Sequence, residues 1–249
     1  MHPIQLVGRE SIYQRCATNA TNSATLEQRY GEVTAAGLKE LVRKWPDVCA
    51  IEKHSVVYDI GAGFGRLGAY LRLFTNASRI RGIEVNECRH WHSKALLKTV
   101  RRVQPSTTGA LNFALGDVRD LGFSDATHVL LAAQTWGAEL LTDIFRQALA
   151  APRLRCVVVV SRRLPRGWTE AVSVLASSFG HAVAVNYLPT TYVSASAIFF
   201  RRGPCIETEE QPATRPLRRQ RGARMCLSTR ELARATQMQG MGSFGGRVW

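Results

Sequence analysis

Short apolar runs and helix-spaced apolar residues alternate along the middle of the chain, which predicts buried strands separated by helices. The first clear run, 55–60, contains two adjacent valines, and the apolar residues of 64–74 recur at helical spacing. Four apolar residues between 38 and 45 predict an earlier amphipathic helix that ends at Pro46. The predicted strands are 55–60, 79–85, 111–115, 127–132, 155–161, 181–187 and 191–201.

Both ends of the chain lack this periodicity. Residues 1–29 are rich in Ser, Thr and Asn, and we expect them to form an N-terminal arm. Residues 203–249 carry several prolines, clustered arginines and a glycine-rich end, which predicts a disordered basic tail. The folded domain is therefore expected to span residues 30–202.

A glycine-rich turn follows the first strand and offers the first sign of chemistry. Gly63, Gly65 and Gly68 satisfy the G-x-G-x-x-G pattern of dinucleotide-binding turns. Asp59, Gly61, Gly63 and Gly65 satisfy the D-x-G-x-G-x-G pattern of methyltransferases. A carboxylate at the strand end attracts the ammonium and sulfonium of S-adenosylmethionine and would repel a pyrophosphate. The turn therefore favours S-adenosylmethionine over NAD.

Acidic residues also follow the next two predicted strands. Glu84 lies 19 residues after Gly65, where a carboxylate can accept both ribose hydroxyls of an adenosine group. Asp117 comes just after the third strand and is placed to accept from the adenine amino group, while Val118 is placed to pack on the ring. The predicted cofactor-binding residues are Asp59, Gly61, Gly63, Gly65, Glu84, Asp117 and Val118.

The segment after the fourth strand, 133–137, lies where open α/β sheets place their chemistry. Enzymes that methylate the amino groups of bases carry an Asn or Asp, two prolines and an aromatic residue there. This segment has none of that pattern apart from Trp136, which argues against amino methylation of adenine or cytosine. Trp136 is predicted to line a substrate channel, or else to serve as a core or cofactor-lid residue.

Over 55–201 these motifs resemble the class I S-adenosylmethionine-dependent methyltransferases. The resemblance implies an α/β fold: a Rossmann-like seven-strand methyltransferase sheet with helices on both faces and a C-terminal antiparallel hairpin. The stretch 30–34, Tyr-Gly-Glu-Val-Thr, further resembles a loop of the non-SET histone lysine methyltransferases, the disruptor-of-telomeric-silencing family. In that family the loop covers the methionine end of the cofactor and borders the lysine channel. The resemblance therefore implies that Tyr30, Glu32 and Trp136 form the catalytic side.

The chain departs from that family after the fourth strand. The family has two asparagines and an aromatic residue there, followed by an aromatic-Gly pair. Trp136 and Gly137 match the pair, but Ala132, Ala133 and Gln134 replace the residues before it. Two alternatives to histone lysine methylation therefore stay open. One is an RNA or ribosomal-protein methyltransferase, and the other is a non-catalytic subunit of a ribonucleoprotein assembly.

The charge of the chain predicts a polyanionic partner. Its 33 basic and 19 acidic residues give a formal net charge of +14. We expect the arginine-rich surface and tail to bind a nucleosome, DNA or RNA, in the nucleus or alternatively in the mitochondrion. No apolar run is long enough to predict a membrane span.

The six cysteines are scattered, which argues against a disulfide framework and fits a reducing compartment. Cys88, His90 and His92 lie at spacings of two on a predicted helix, where side chains do not share a face. The sequence therefore predicts no metal site.

Overall fold

A computed structural model of the chain describes residues 16, 33–105, 110–133, 136–161, 168–189 and 194–202. The helices are α1 (Ala35–Val48), α2 (Arg66–Phe74), α3 (Glu87–Val103), α4 (Val118–Leu121), α5 (Ala138–Ala150) and α6 (Trp168–Phe179). The strands are β1 (Val56–Ile60), β2 (Arg79–Glu84), β3 (Leu111–Leu115), β4 (His128–Ala132), β5 (Cys156–Ser161), β6 (Gly180–Pro189) and β7 (Ser194–Arg202). The predicted arm at 1–29, apart from Cys16, and the predicted tail at 203–249 lie outside the described residues.

The strands form one mixed sheet in the order β3-β2-β1-β4-β5-β7-β6. β1 to β5 are parallel, whereas β7 is antiparallel to both β5 and β6. The α/β class and the Rossmann-like arrangement are therefore confirmed. Residues 190–193, which would join β6 to β7, lie outside the described part of the chain. The strand order reverses between β1 and β4, so a crevice opens at the carboxyl ends of these two strands.

Helices cover both faces of the sheet, because its central strands are apolar on both sides. In β5, Val158 and Val160 pack into one core cluster with residues of α1, α2 and α3. Val157 and Val159 point the other way, into a cluster with residues of α5 and α6. Among the described residues, no helix is both long and apolar enough to cross a bilayer.

Helix α1 does not end at Pro46 as predicted but continues to Val48. Proline lacks an N–H, so it removes only its own bond to the preceding turn. The helical bonding continues past the proline, because the Cys49 N–H donates to the Trp45 carbonyl at 2.8 Å. The loss of one bond near the end of a helix is tolerated when the helix is packed, and Trp45 is fully buried.

Four cysteines form two disulfides, Cys16–Cys88 and Cys49–Cys156. The expectation that the scattered cysteines do not form disulfides is therefore wrong. The partners are 72 and 107 residues apart in sequence, and only the folded chain brings their Cα atoms to 5.4 and 6.1 Å. Cys49 follows the last residue of α1 and Cys156 begins β5, so this second disulfide ties the outer helix to the centre of the sheet.

His128, in the central strand β4, is expected to make stability pH-dependent. The side chain is 1% exposed, and burial lowers its pKa from 6.5 to about 4, whereas a backbone hydrogen bond with Ala50 opposes the shift. Between these values the unfolded chain takes up a proton that the folded chain does not. The contribution of His128 to the free energy of unfolding is therefore fully present above pH 6.5. It is lost as the pH drops towards 4, which lowers the free energy of unfolding by up to about 3 kcal/mol.

Urea unfolding at pH 7.5 and pH 4.5 measures this loss. In His128→Gln the free energy of unfolding should differ less between the two pH values, by about that amount, because the glutamine does not titrate. An equal pH dependence in both proteins would contradict the assignment to His128.

Candidate functional site

The glycine turn lies between β1 and α2, at the reversal point of the sheet. Gly61, Gly63 and Gly65 have φ angles of +70°, +56° and +78°, which residues with a side chain rarely adopt. The Gly61 and Ala62 N–H groups both donate to the Ile83 carbonyl of β2, at 2.8 and 2.9 Å. The turn is thereby held against the carboxyl end of the neighbouring strand.

Glu84, the last residue of β2, is the best-positioned of the predicted acids. It is 3% exposed, and its Oε2 accepts a hydrogen bond of 2.7 Å from the Gly63 N–H. The predicted ribose acceptor and the predicted glycine turn are thus in direct contact. The carboxylate lies where an adenosine group would meet the turn.

Arg89, in the first turn of α3, also holds Glu84. Its Nε and Nη2 donate to Glu84 Oε1 at 3.0 and 2.8 Å, and the Asn86 N–H donates to the same oxygen at 2.8 Å. The arginine side chain is 8% exposed, so this is a buried ion pair. Oε1 therefore has three donors, whereas among the described residues Oε2 accepts only from Gly63.

The sequence analysis missed Arg89, although a signal was present. An arginine five residues after a strand-ending acid lies within the first turn of the next helix, which faces the same edge of the sheet. The local fold supports this geometry, because the Asn86 side chain caps α3 by accepting from the Arg89 N–H at 3.0 Å.

The other two predicted acids also follow strands at this edge. Asp59 is 1% exposed in β1 and lies in register with Gly82 of β2 and Leu130 of β4. Asp117 follows β3 and caps α4 by accepting from the Arg119 N–H at 2.8 Å. Because β3, β2 and β1 are neighbours, Asp117, Glu84 and Asp59 line one end of adjacent strands.

Asp117 is engaged by a neighbouring cation as well. The Arg119 guanidinium contacts both of its carboxylate oxygens, at 3.1 and 2.6 Å, and lowers the pKa of the carboxyl group below its usual range. This pair is half exposed, so its guanidinium is accessible to solvent. Val118 is 6% exposed and belongs to the core cluster of β1, β4 and α5, and its predicted contact with the adenine ring stays a prediction.

Trp136 lies over the glycine turn. A Cβ added at Gly61 would approach Trp136 Cζ2 to 2.5 Å, so the indole is in contact with the backbone of the turn. The indole also packs on the core cluster that contains Leu141 and Ile144. The core contacts agree with one of the alternatives predicted for Trp136, and its roles as a substrate-channel or cofactor-lid residue stay predictions.

The other substrate-side predictions are only partly within the described residues. Tyr30, Glu32 and Gln134 lie outside them. Ala132 is half-buried at the end of β4 and Ala133 is fully buried. No amide group is therefore offered at 132 and 133, where the histone lysine family has two asparagines.

No protein-family model matches the chain, and no curated protein matches it. Among solved structures it is similar to the methyltransferase domain of bacterial CtHen1-C, with a TM-score of 0.53 and 16% identity over 68% of this chain and 98% of that domain. The chain has a methyltransferase fold. TrmK of M. capricolum, solved with its cofactor product S-adenosylhomocysteine, matches with a TM-score of 0.51 and 13% identity over 72% of this chain and 73% of its own. An uncharacterised Listeria monocytogenes protein matches with a TM-score of 0.52 and 11% identity, over 72% of each chain.

Within the methyltransferase fold, the predicted histone lysine subfamily gains no support from these similarities. At this level of identity they show the fold, whereas the resemblance of 30–34 concerns residues that, up to Glu32, the structure does not describe. The subfamily therefore stays a prediction from sequence. The cofactor and the substrate have to be argued from the site itself.

Proposed function

We propose that the chain is an S-adenosylmethionine-dependent methyltransferase whose substrate is RNA. The observation that supports the cofactor is the direct contact between Glu84 and the amide of Gly63, inside a turn preceded by Asp59. A dinucleotide site would place a pyrophosphate at this turn. The buried carboxylate of Asp59 beside it disfavours that anion and favours a cationic ligand, whereas the charge of Glu84 is balanced by Arg89.

The residues present fit S-adenosylmethionine. Glu84 Oε2 is the carboxylate oxygen with capacity for a ribose hydroxyl, since Oε1 is saturated by Arg89 and Asn86. Asp117 would accept from the adenine amino group once Arg119 shifts at the surface. Asp59 would supply negative charge near the methionine end.

The cofactor supplies an activated methyl group on a sulfonium, and the protein's task is mainly positioning. Trp136 covers the turn, so its indole excludes water from the side of the crevice on which β4 ends. Since an in-line displacement needs only an accessible, neutral nucleophile, we assign no acid–base pair.

The charge of the chain supports RNA as the substrate. The formal net charge is +14, and most of the basic residues are arginines, which contact phosphate and stack on unpaired bases. The absence of the Asn-Asn pair at Ala132 and Ala133 counts against a lysine channel of the histone-modifying type. The positive charge suits RNA and nucleosomal DNA alike, so the missing asparagine pair is the observation that favours the RNA alternative over histone lysine methylation.

Calorimetric titration of the purified chain tests the cofactor. We expect S-adenosylmethionine to bind with a Kd on the order of micromolar and NAD to show no heat. Asp117→Ala should weaken binding about tenfold by removing one hydrogen-bonded contact, whereas Asp120→Ala, which changes another acid of the same short helix, should not. Equal affinity for wild type and Asp117→Ala would remove Asp117 from the site.

Transfer of a radiolabelled methyl group tests the substrate. The protein should label protein-free RNA, and labelling of purified nucleosomes without labelling of RNA would overturn the RNA assignment. Loss of label after ribonuclease treatment distinguishes modified RNA from a modified protein bound to it.

A non-catalytic role is the second candidate, and the ion pair between Glu84 and Arg89 favours it. A ribose acceptor that is already neutralised by a buried cation has less capacity for a ligand. If neither S-adenosylmethionine nor NAD gives heat in the titration, the result supports a chain that keeps the methyltransferase fold but acts as a structural subunit of a ribonucleoprotein assembly.

A further inference from the structure

Cys16, Cys88 and His92 lie together on the side of α3 next to the glycine turn. Their potential ligand atoms are all within 4.8 Å of one another. Cys88 and His92 are four residues apart on α3 and therefore share one helix face. The spacing of four between Cys88 and His92 is therefore the signal in the sequence that points to a shared ligand, whereas the spacings of two around His90 do not.

We propose that Cys16, Cys88 and His92 bind one zinc ion when the two cysteines are reduced. Two thiolates and one imidazole are a common ligand set for zinc, and they leave the fourth tetrahedral position for water or another ligand. Zinc bonds of about 2.3 Å to sulfur and 2.0 Å to nitrogen place ligand atoms about 3.5 to 3.8 Å apart. In the disulfide the two sulfurs are bonded to each other; after reduction they would separate to that spacing, and the His92 ligand nitrogen already lies within 4.8 Å of both.

Two aromatic rings lie next to the imidazole of His92. The His92 ring lies 5.5 Å from the Phe64 ring and 5.0 Å from the Trp91 ring, so it is held between two aromatic neighbours. Cys16 is 5% exposed, which is typical of a structural zinc ligand that is shielded from solvent.

The disulfide and the metal site are alternative states of the same side chains. Zinc binding to two thiols and a neutral histidine releases two protons. When a small-molecule disulfide oxidises the two thiolates, it accepts their two electrons, takes up two protons from solvent and becomes two thiols, while the Cys16–Cys88 bond forms and the zinc is released. The reverse exchange with two thiols restores the ligands.

The cluster lies next to two parts of the crevice, the Glu84–Arg89 ion pair and the glycine turn. Cys88 precedes Arg89, which holds Glu84, and Phe64 belongs to the glycine turn. In either state the cluster fastens Cys16 to the first turn of α3, and in the reduced state His92 would also bind the zinc.

The zinc content of the full chain, purified under anaerobic reducing conditions, tests the proposal. We expect about one zinc per chain in the wild type and less than about 0.2 in Cys88→Ser and in His92→Ala. His90→Ala and Cys49→Ser are matched controls, because they change an imidazole of the same helix and a cysteine of the other pair, and they should retain the metal. A wild type without zinc, or full zinc in His92→Ala, would overturn the proposal.

Cobalt substitution keeps the test decisive when a variant folds poorly. The near-ultraviolet charge-transfer band from thiolate to cobalt should lose about half its intensity in Cys16→Ser, in which one of two thiolates is gone. Far-ultraviolet circular dichroism of the same sample establishes that the variant is folded. Unchanged band intensity in folded Cys16→Ser would exclude that cysteine as a ligand.

Discussion

Replacing Glu84 with glutamine is expected to lower the free energy of unfolding by about 3 to 5 kcal/mol. The change removes the charge that compensates the buried Arg89 guanidinium, whose side chain is 8% exposed. It also turns an oxygen that accepts three hydrogen bonds into an amide with fewer acceptor sites. Denaturant unfolding followed by circular dichroism measures the loss.

Two further variants determine whether the buried pair is the cause. Glu87→Gln alters an exposed acid three residues away and should unfold like the wild type. The double variant Glu84→Gln/Arg89→Met replaces the cation with an apolar side chain of similar length and should recover much of the stability. If the double variant is no more stable than Glu84→Gln, the loss does not come from an uncompensated arginine.

Gly61→Ala is expected to destabilise the protein by about 2 to 5 kcal/mol and to abolish measurable cofactor binding. A side chain at φ +70° costs about 1 to 2 kcal/mol, and overpacking adds about 1 to 3 kcal/mol because the new Cβ would lie 2.5 Å from Trp136 Cζ2. The indole has to move, and the turn with it. Thermal unfolding and titration with S-adenosylmethionine measure the two effects.

A double-mutant cycle with Trp136→Ala separates the collision from the backbone strain. In the Trp136→Ala background, Gly61→Ala should no longer cost the free energy that comes from overpacking against the indole. It should still cost the free energy that comes from the φ angle of +70°. Gly65→Ala is the matched control, because it has a similar φ of +78° but its Cβ would collide with Phe113 at 2.6 Å. If Trp136→Ala also restores stability to Gly65→Ala, the indole restricts the whole glycine turn and not only the space next to Gly61.

The parallel strands could be predicted closely because each is a short apolar run bounded by polar residues. The prediction of 111–115 matches β3, and those for β1, β2, β4 and β5 differ from the observed bounds by one residue at one end. The positions of Asp59 and Glu84 could be predicted for the same reason, since Asp59 is the last but one residue of β1, Glu84 is the last of β2, and the ends of parallel strands meet at one edge of the sheet.

What could not be predicted depends on contacts between residues that are distant in sequence. Asp117 and Glu84 follow the same pattern along the chain, yet one is paired with a half-exposed arginine and the other with a buried one. Hydrophobic periodicity predicts that α3 has a buried face, but it does not predict that the charged side chain of Arg89 lies on that face. The burial of Val118 likewise follows from how the short helix α4 meets α5.

The place of β7 within the sheet has a consequence for synthesis of the chain. β7 pairs with β5 from Cys156 to Ser161, yet it is made after β6, which lies outside it at the edge. Until residue 202 has left the ribosome, the four valines of β5 form an unpaired strand edge, which can pair with other chains. The nascent protein therefore depends on its last described strand, β7, to pair with the exposed edge of β5. A chain that stops before Ser194 keeps that edge unpaired.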